Sequence, residues 1–146
     1  MCMDVNKAKL GALIKWVNLT FETKINEVVK DSDLTRAQCD ILMFLNRTRY
    51  ENPHNVTQRE IEKEFHISNP TVTGLLNRLE AKEFIERVPS QKDGRYKVIV
   101  LTDKAEPILK EIGLKLESNE VDILSHLTSE EQECLRSLLL KIIERE

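Results

Sequence analysis

The stretch from Asn55 to Leu101 constrains this chain most, because its hydrophobic pattern passes through two short helical periods and then turns to alternation. The first period runs about Thr57 to Phe65. Thr57 suits an N-cap with Glu60 placed to close a capping box, and Ile61 and Phe65 share one helix face. His66-Ile67-Ser68 interrupts the pattern. Ser68 is then the expected N-cap of a second helix, with Ile67 placed to staple onto Val72. Asn69-Pro70 suits a first turn, where proline's missing N–H is not needed. In this second helix Val72, Leu75, Leu76 and Leu79 point inward and Asn69, Thr71, Thr73, Gly74, Asn77 and Arg78 point outward.

After Lys82 the residues alternate. Phe84, Ile85 and Val88 read as one short strand, and Tyr96, Val98 and Val100 with Ile99 and Leu101 as its partner. Pro89 to Arg95 links them through the turn-forming pair Asp93-Gly94. Small polar residues and one arginine on an exposed helix can enter a major groove and meet base edges without bulk. The expected duplex-DNA contacts are therefore Gln58, Ser68, Asn69, Pro70, Thr71, Thr73, Asn77 and Arg78, with Arg78 reaching for phosphate. On the hairpin tip Lys92 and Arg95 join them. Arg95 has the length and charge for a minor groove, and Asp93 is placed to hold its guanidinium by a bidentate contact.

Leu34-Thr35-Arg36-Ala37-Gln38, Val56-Thr57-Gln58, the run Thr71 to Glu80, Asp93-Gly94-Arg95 and Leu101-Thr102 occur in the order found in the multiple-antibiotic-resistance regulator (MarR) family, which the chain resembles over nearly its whole length. The resemblance implies a mainly α fold with a small β wing (α+β), a winged helix-turn-helix. It implies one domain over 1–146, a DNA-binding region over 34–101, and dimerisation helices over 1–30 and 102–146. It further implies a homodimeric repressor on a near-palindromic operator, released by a small aromatic or phenolic effector bound between the dimer helices and the winged region. Trp16, Ile41 and Leu45 are the residues expected to line that pocket. Three departures from the family pattern stand out. Glu83 replaces the usual glycine after the recognition helix, Gly94 leaves Arg95 as the single wing arginine, and Pro70 and Gly74 replace longer polar chains.

The chain has 146 residues, 40% of them hydrophobic and 32% charged, which describes one folded domain rather than a disordered segment. Its formal net charge of -3 argues mildly against nucleic acid, but the acid is concentrated from Glu117 onward. Arg59, Lys63, Arg78, Lys82, Lys92, Arg95 and Lys97 fall on the proposed contact surface, accompanied by Glu60, Glu62, Glu64 and Glu80. The alternative reading is a winged-helix protein-interaction module that has lost duplex binding.

No stretch is apolar enough for a membrane span, and Met1-Cys2-Met3-Asp4-Val5 lacks the order of a secretion signal, so a cytoplasmic protein without a membrane partner is expected. Cys2, Cys39 and Cys134 suggest no disulfide framework, and Cys39 reads as a small buried hydrophobe. His54, His66 and His126 fit no metal spacing. There is no glycine-rich phosphate loop, nucleophile elbow or close carboxylate pair. No enzyme, metal or cofactor is expected.

The flanks are helical. Val5 to Val29 reads as one amphipathic helix, with Leu10, Leu13, Ile14, Val17, Phe21, Ile25 and Val28 as its stripe and Trp16 at the margin, packed against a helix or facing a ligand. Thr35 caps an apolar helix over Gln38 to Leu45, and Tyr50 to His54 reads as a polar linker. Asn55-Val56 suggests a short third strand. Thr102 is the expected cap of a long helix containing Pro107, with Asn119 as a point of irregularity, and Thr128 caps a last helix striped by Leu135, Leu138, Leu139, Ile142 and Ile143. These flanks carry more apolar surface than a small winged domain covers, and a two-fold dimer is the economical solution.

Overall fold

The computed structural model describes residues 7–51 and 56–144. Its elements are α1 Leu10–Lys30, α2 Arg36–Glu51, α3 Gln58–Phe65, α4 Asn69–Ala81, β1 Ile85–Pro89, β2 Lys97–Leu101, α5 Ala105–Leu124 and α6 Ser129–Ile143. This is the mainly helical fold with a small β wing that the sequence led us to expect. The chain divides into two compact units, one spanning Asn26–Gly113 and the other formed by the chain before and after it. Among the described residues no helix is long and apolar enough to cross a membrane.

The winged unit, Asn26–Gly113, contains α2, α3, α4, the hairpin, the last turn of α1 and the first half of α5. Its core is closed. Ile61, Val72, Leu76 and Leu79 are 0% exposed and Ile41 and Ile85 1%, so each large side chain contributes about 1.5–3 kcal/mol of burial. The face of α4 made by Val72, Leu75, Leu76 and Leu79 is the one anticipated from its period. α2 starts in a capping box. The Gln38 side chain accepts from the Thr35 N–H at 3.1 Å while Thr35 Oγ1 accepts from the Gln38 N–H at 3.4 Å, which satisfies the buried Gln38. α2 is also longer than expected and takes in Tyr50 and Glu51. Arg49 explains this, since its guanidinium pairs with Glu106 of α5 and stacks 4.9 Å from the Tyr50 ring, giving the last turn tertiary partners.

The hairpin is antiparallel, with Ile85 opposite Leu101 and Pro89 opposite Lys97. Phe84 and Tyr96, expected in strands, lie just outside them. Phe84 is occupied in ending α4, and Tyr96 in closing the tip, where its carbonyl accepts from the Ser90 N–H at 2.8 Å. Of the anticipated third strand, Val56 supplies one bond, accepting from the Ile99 N–H at 2.7 Å. Asn55 lies outside the described residues, as do Cys2, Val5 and His54, and the sheet has two strands among those described.

The second unit contains α1 up to Ile25, α5 from Leu114, and α6. Within the described residues α1 begins at Leu10. Thr128 caps α6 in a reciprocal box with Glu131, as its sequence implies, and α5 continues through Asn119 without interruption. Thr102 behaves differently from expectation: α5 starts only at Ala105, and the Thr102 hydroxyl donates to the Glu83 carbonyl at 2.6 Å. The threonine ties the end of the hairpin to the end of α4. Among the described residues every buried core residue lies between Val28 and Ile112, whereas Leu10, Val17, Val121, Leu138 and Ile142 of the second unit are more than half exposed.

Candidate nucleic-acid interface

α3 and α4 are joined by His66-Ile67-Ser68. Thr57 and Glu60 form the full capping box at the start of α3, and His66 ends it in the left-handed region at φ 51°. A non-glycine residue there is uncommon. α4 then starts at Asn69 with Pro70 in its first turn. Ser68 occupies the N-cap position, but its side chain makes no bond to a helix N–H and instead lies 2.9 Å from Thr71 Oγ1. The hydroxyl pair replaces the cap.

α4 ends without glycine. Glu83 takes the left-handed conformation at φ 62°, and two crossing bonds close the end: Phe84 N–H to Leu79 O at 3.0 Å and Glu83 N–H to Glu80 O at 2.9 Å. The strained exit is therefore adopted, not avoided. Lys104 Nζ donates to Glu83 Oε2 at 2.8 Å, and that bond holds the exposed carboxyl below its ordinary pKa.

The outward side of α4 presents Asn69, Pro70, Thr71, Asn77 and Arg78 exposed and Thr73 and Gly74 partly exposed. A Cβ added at Gly74 would meet nothing within 4 Å, so the surface there is open. Several polar side chains on this side are tied to one another. Gln58 Nε2 donates to Thr73 Oγ1 at 2.8 Å and to Glu62 Oε1 at 3.2 Å, and Asn69 Nδ2 donates to the same Glu62 oxygen at 2.6 Å. This network locks α3 to the start of α4. Farther along, Asn77 Oδ1 accepts from Arg87 Nη2 of β1 at 2.9 Å, and the other arm of Arg87 pairs with Glu80. Sequence reasoning overlooked Arg87. Its signal was there, because Arg87 alternates with the buried Ile85 and so falls on the inward side of its strand.

At the wing tip Arg95 makes the bidentate contact with Asp93, Nε to Oδ1 at 3.1 Å and Nη2 to Oδ2 at 3.0 Å. The Arg95 N–H also bonds Oδ1 at 3.1 Å, and Tyr96 N–H bonds Asp93 O at 3.0 Å. The side-chain bond from Arg95, then the backbone bond, lowers the Asp93 pKa and keeps it a carboxylate. Gly94 does not use its left-handed freedom, since no glycine of the described residues has positive φ. The turn is built on the aspartate side chain. Arg95 remains 86% exposed in spite of its partner, and Lys92 is exposed beside it.

The acidic residues interspersed through this region are matched. Glu60 accepts from the Thr57 N–H, Glu64 pairs with Arg47 at 3.0 Å, Glu80 pairs with Arg87, and Glu62 receives two amides. Elsewhere, Ile41 and Leu45 are 1% and 3% exposed inside the winged core, whereas Trp16 is half-buried in the second unit. Cys39 is buried at 2% exposure, and burial, reinforced by Asp40, pushes its thiol up to about 11, which favours the protonated form. Cys134 is exposed.

Two short helices joined by a turn, the second with a polar outward side, and a following hairpin with a basic tip define a winged helix-turn-helix protein. Residues 32–95 match the profile of the MarR family. The transcription regulator MarR from Oenococcus oeni PSU-1 is 35% identical, with 94% of this chain and all of that one covered and a TM-score of 0.67. A mutant MarR from E. coli complexed with operator DNA is 27% identical, covering 91% of this chain and 92% of that one, at a TM-score of 0.72. The HTH-type transcriptional regulator PecS of Dickeya dadantii (strain 3937) is 29% identical over 140 residues, 96% of this chain and 83% of that protein. The chain belongs to the MarR family and is a DNA-binding, winged helix-turn-helix transcription regulator.

Proposed function

We propose that this chain is a homodimeric repressor that places α4 in successive major grooves of a near-palindromic operator and the hairpin tip in the flanking minor groove. The observation that carries the reading is which charges stay free. Glu64 and Glu80 pair with Arg47 and Arg87, and Glu60 and Glu62 accept from neutral donors within the winged unit, while no bond joins Arg59, Lys63, Arg78, Lys92 or Lys97 to a carboxylate among the described residues. A chain with net charge -3 thereby keeps unpaired cations around a polar helix face. In this reading Thr71, Asn77 and the Pro70 ring meet base edges and Arg78, Lys92 and Arg95 meet the backbone. Gln58, Asn69 and Thr73, whose side chains are bonded to one another or to Glu62, hold the helix pair in register, and Ser68 steadies Thr71 through its hydroxyl. Asp93 fixes the wing arginine.

The second copy is supported by the apolar surface of the terminal helices. Val17, Phe21, Leu124, Leu135 and Leu139 line an open groove of about 540 Å³ within that unit, which a partner's helices would fill. Release by a small aromatic or phenolic effector rests on family membership, with the half-buried Trp16 as an aromatic ring of the terminal-helix unit. A gel-shift titration of the full chain on duplexes from its own upstream region, at low and moderate salt, tests the reading. Retention that falls steeply with salt is expected, at a log-log slope of roughly five for six phosphate contacts. A chain that retains no fragment at any salt would instead be a protein-interaction module.

A further inference from the structure

Arg87 occupies an inward position of β1, with its side chain only 18% exposed, between two residues of α4 spaced three apart. Nη1 pairs with Glu80, whose carboxylate aims the guanidinium, and Nη2 donates to Asn77 Oδ1 at 2.9 Å. A guanidinium has donors only, so the amide of Asn77 has one possible orientation beside it: oxygen toward Arg87, NH2 outward. Asn77 itself is exposed on the polar side of α4. The usual asparagine contact with adenine needs oxygen and nitrogen side by side, one accepting from N6 and the other donating to N7. With Oδ1 turned to Arg87 and one of its lone pairs taken there, that pairing is disfavoured. Guanine offers two acceptors, N7 and O6, to a group that only donates.

We propose that Arg87 is a positioning residue that presents Asn77 as a hydrogen-bond donor, so that the base beneath it in each half-site is guanine in preference to adenine. The proposal rests on the DNA-reading role above and makes it specific. Arg87 reaches no base and no phosphate. It acts through the amide it orients, and Glu80 acts through Arg87.

The test is selection of binding sequences from a pool of random-sequence duplexes by the full chain, then competition among four duplexes that differ only at the guanine-selecting position. The unmodified chain is expected to favour guanine there by roughly tenfold. The double variant Glu80→Gln/Arg87→Met removes both charges together, so that neither is left unpaired. It should keep the salt slope and the affinity for unrelated duplex while adenine becomes equal to or better than guanine. Asn77→Asp, which replaces the outward donor with a carboxylate oxygen, should lose the guanine preference as well. Arg87→Lys keeps a cation for Glu80 but lacks the fork that reaches both partners, and should show an intermediate preference. It decides the matter if melting shows that the double variant does not fold. An unchanged preference in the variants would overturn the proposal, as would a uniform loss on all duplexes with the salt slope lowered by about one, which would make Arg87 a phosphate contact. An unmodified chain that selects no sequence at all overturns the DNA reading itself.

Discussion

The winged unit and the terminal-helix unit are built from similar amphipathic elements, yet only one completes a core. In the winged unit the apolar side chains of seven elements meet and Leu42, Ile61, Val72, Leu76 and Leu79 lose all contact with solvent. In the other, α6 has no buried residue, and Leu138, Ile142 and Ile143 stand 52%, 52% and 74% exposed. The difference lies in the partners. A sheet, three helices and the adjoining ends of two more enclose a volume, whereas an isolated set of long helices presents stripes that need a further layer, and symmetry makes a second copy the simplest one.

The largest effect should follow from destroying the open stripe. Leu138→Lys with Ile142→Lys is expected to leave the winged unit folded but separate the copies, and the loss of paired half-site binding should cost on the order of a thousandfold in operator affinity. Sedimentation and titration of the variant check both parts. Next, matched truncations separate the two kinds of apolar residue. Leu76→Ala should cost about 2–5 kcal/mol in chemical denaturation at any protein concentration, because a closed core gains a cavity. The cost of Leu138→Ala should depend on protein concentration, as expected for a residue buried only by association. Equal, concentration-independent losses would erase the distinction between the units.

Smaller effects refine the winged unit. Arg95→Ala should weaken binding to specific and unrelated duplex alike by roughly tenfold and lower the salt slope by about one, measured by competition titration. A loss confined to one sequence would make the wing a base reader. The smallest expected change is a gain. Glu83→Gly relieves the left-handed exit of α4 at φ 62° and gives up only an exposed pair with Lys104, so the melting temperature should rise by roughly 3 °C. A fall would mean that the Lys104 contact governs that junction.

Period and capping made most of this fold legible. The Thr57-Glu60 and Thr128-Glu131 boxes and the inward row of α4 are local rules, satisfied where they were expected. The errors share a cause, which is that a distant partner decided the outcome. Arg49 extended α2 by finding Glu106 of α5, Thr102 turned to the Glu83 carbonyl in place of capping α5, and Ser68 bonded Thr71. In the candidate interface the outward residues of α4 could be named from sequence, but not which of them hold one another. The Gln58-Glu62-Asn69 and Asn77-Arg87-Glu80 networks join residues from different elements, and only the fold brings them within bonding distance. For Ile41 and Leu45, helical periodicity marks an apolar face without telling a sealed core from a pocket wall, and both are buried in the winged unit.

Sedimentation equilibrium of the full chain, alone and mixed with a selected duplex, tests most directly whether one unit is complete and the other awaits a copy. At micromolar concentration the mass of two chains is expected without DNA, and two chains per duplex with it. A compact single chain in both conditions would contradict the account, because the exposed stripes of α1, α5 and α6 would then face water and the paired reading of DNA would have no structural basis.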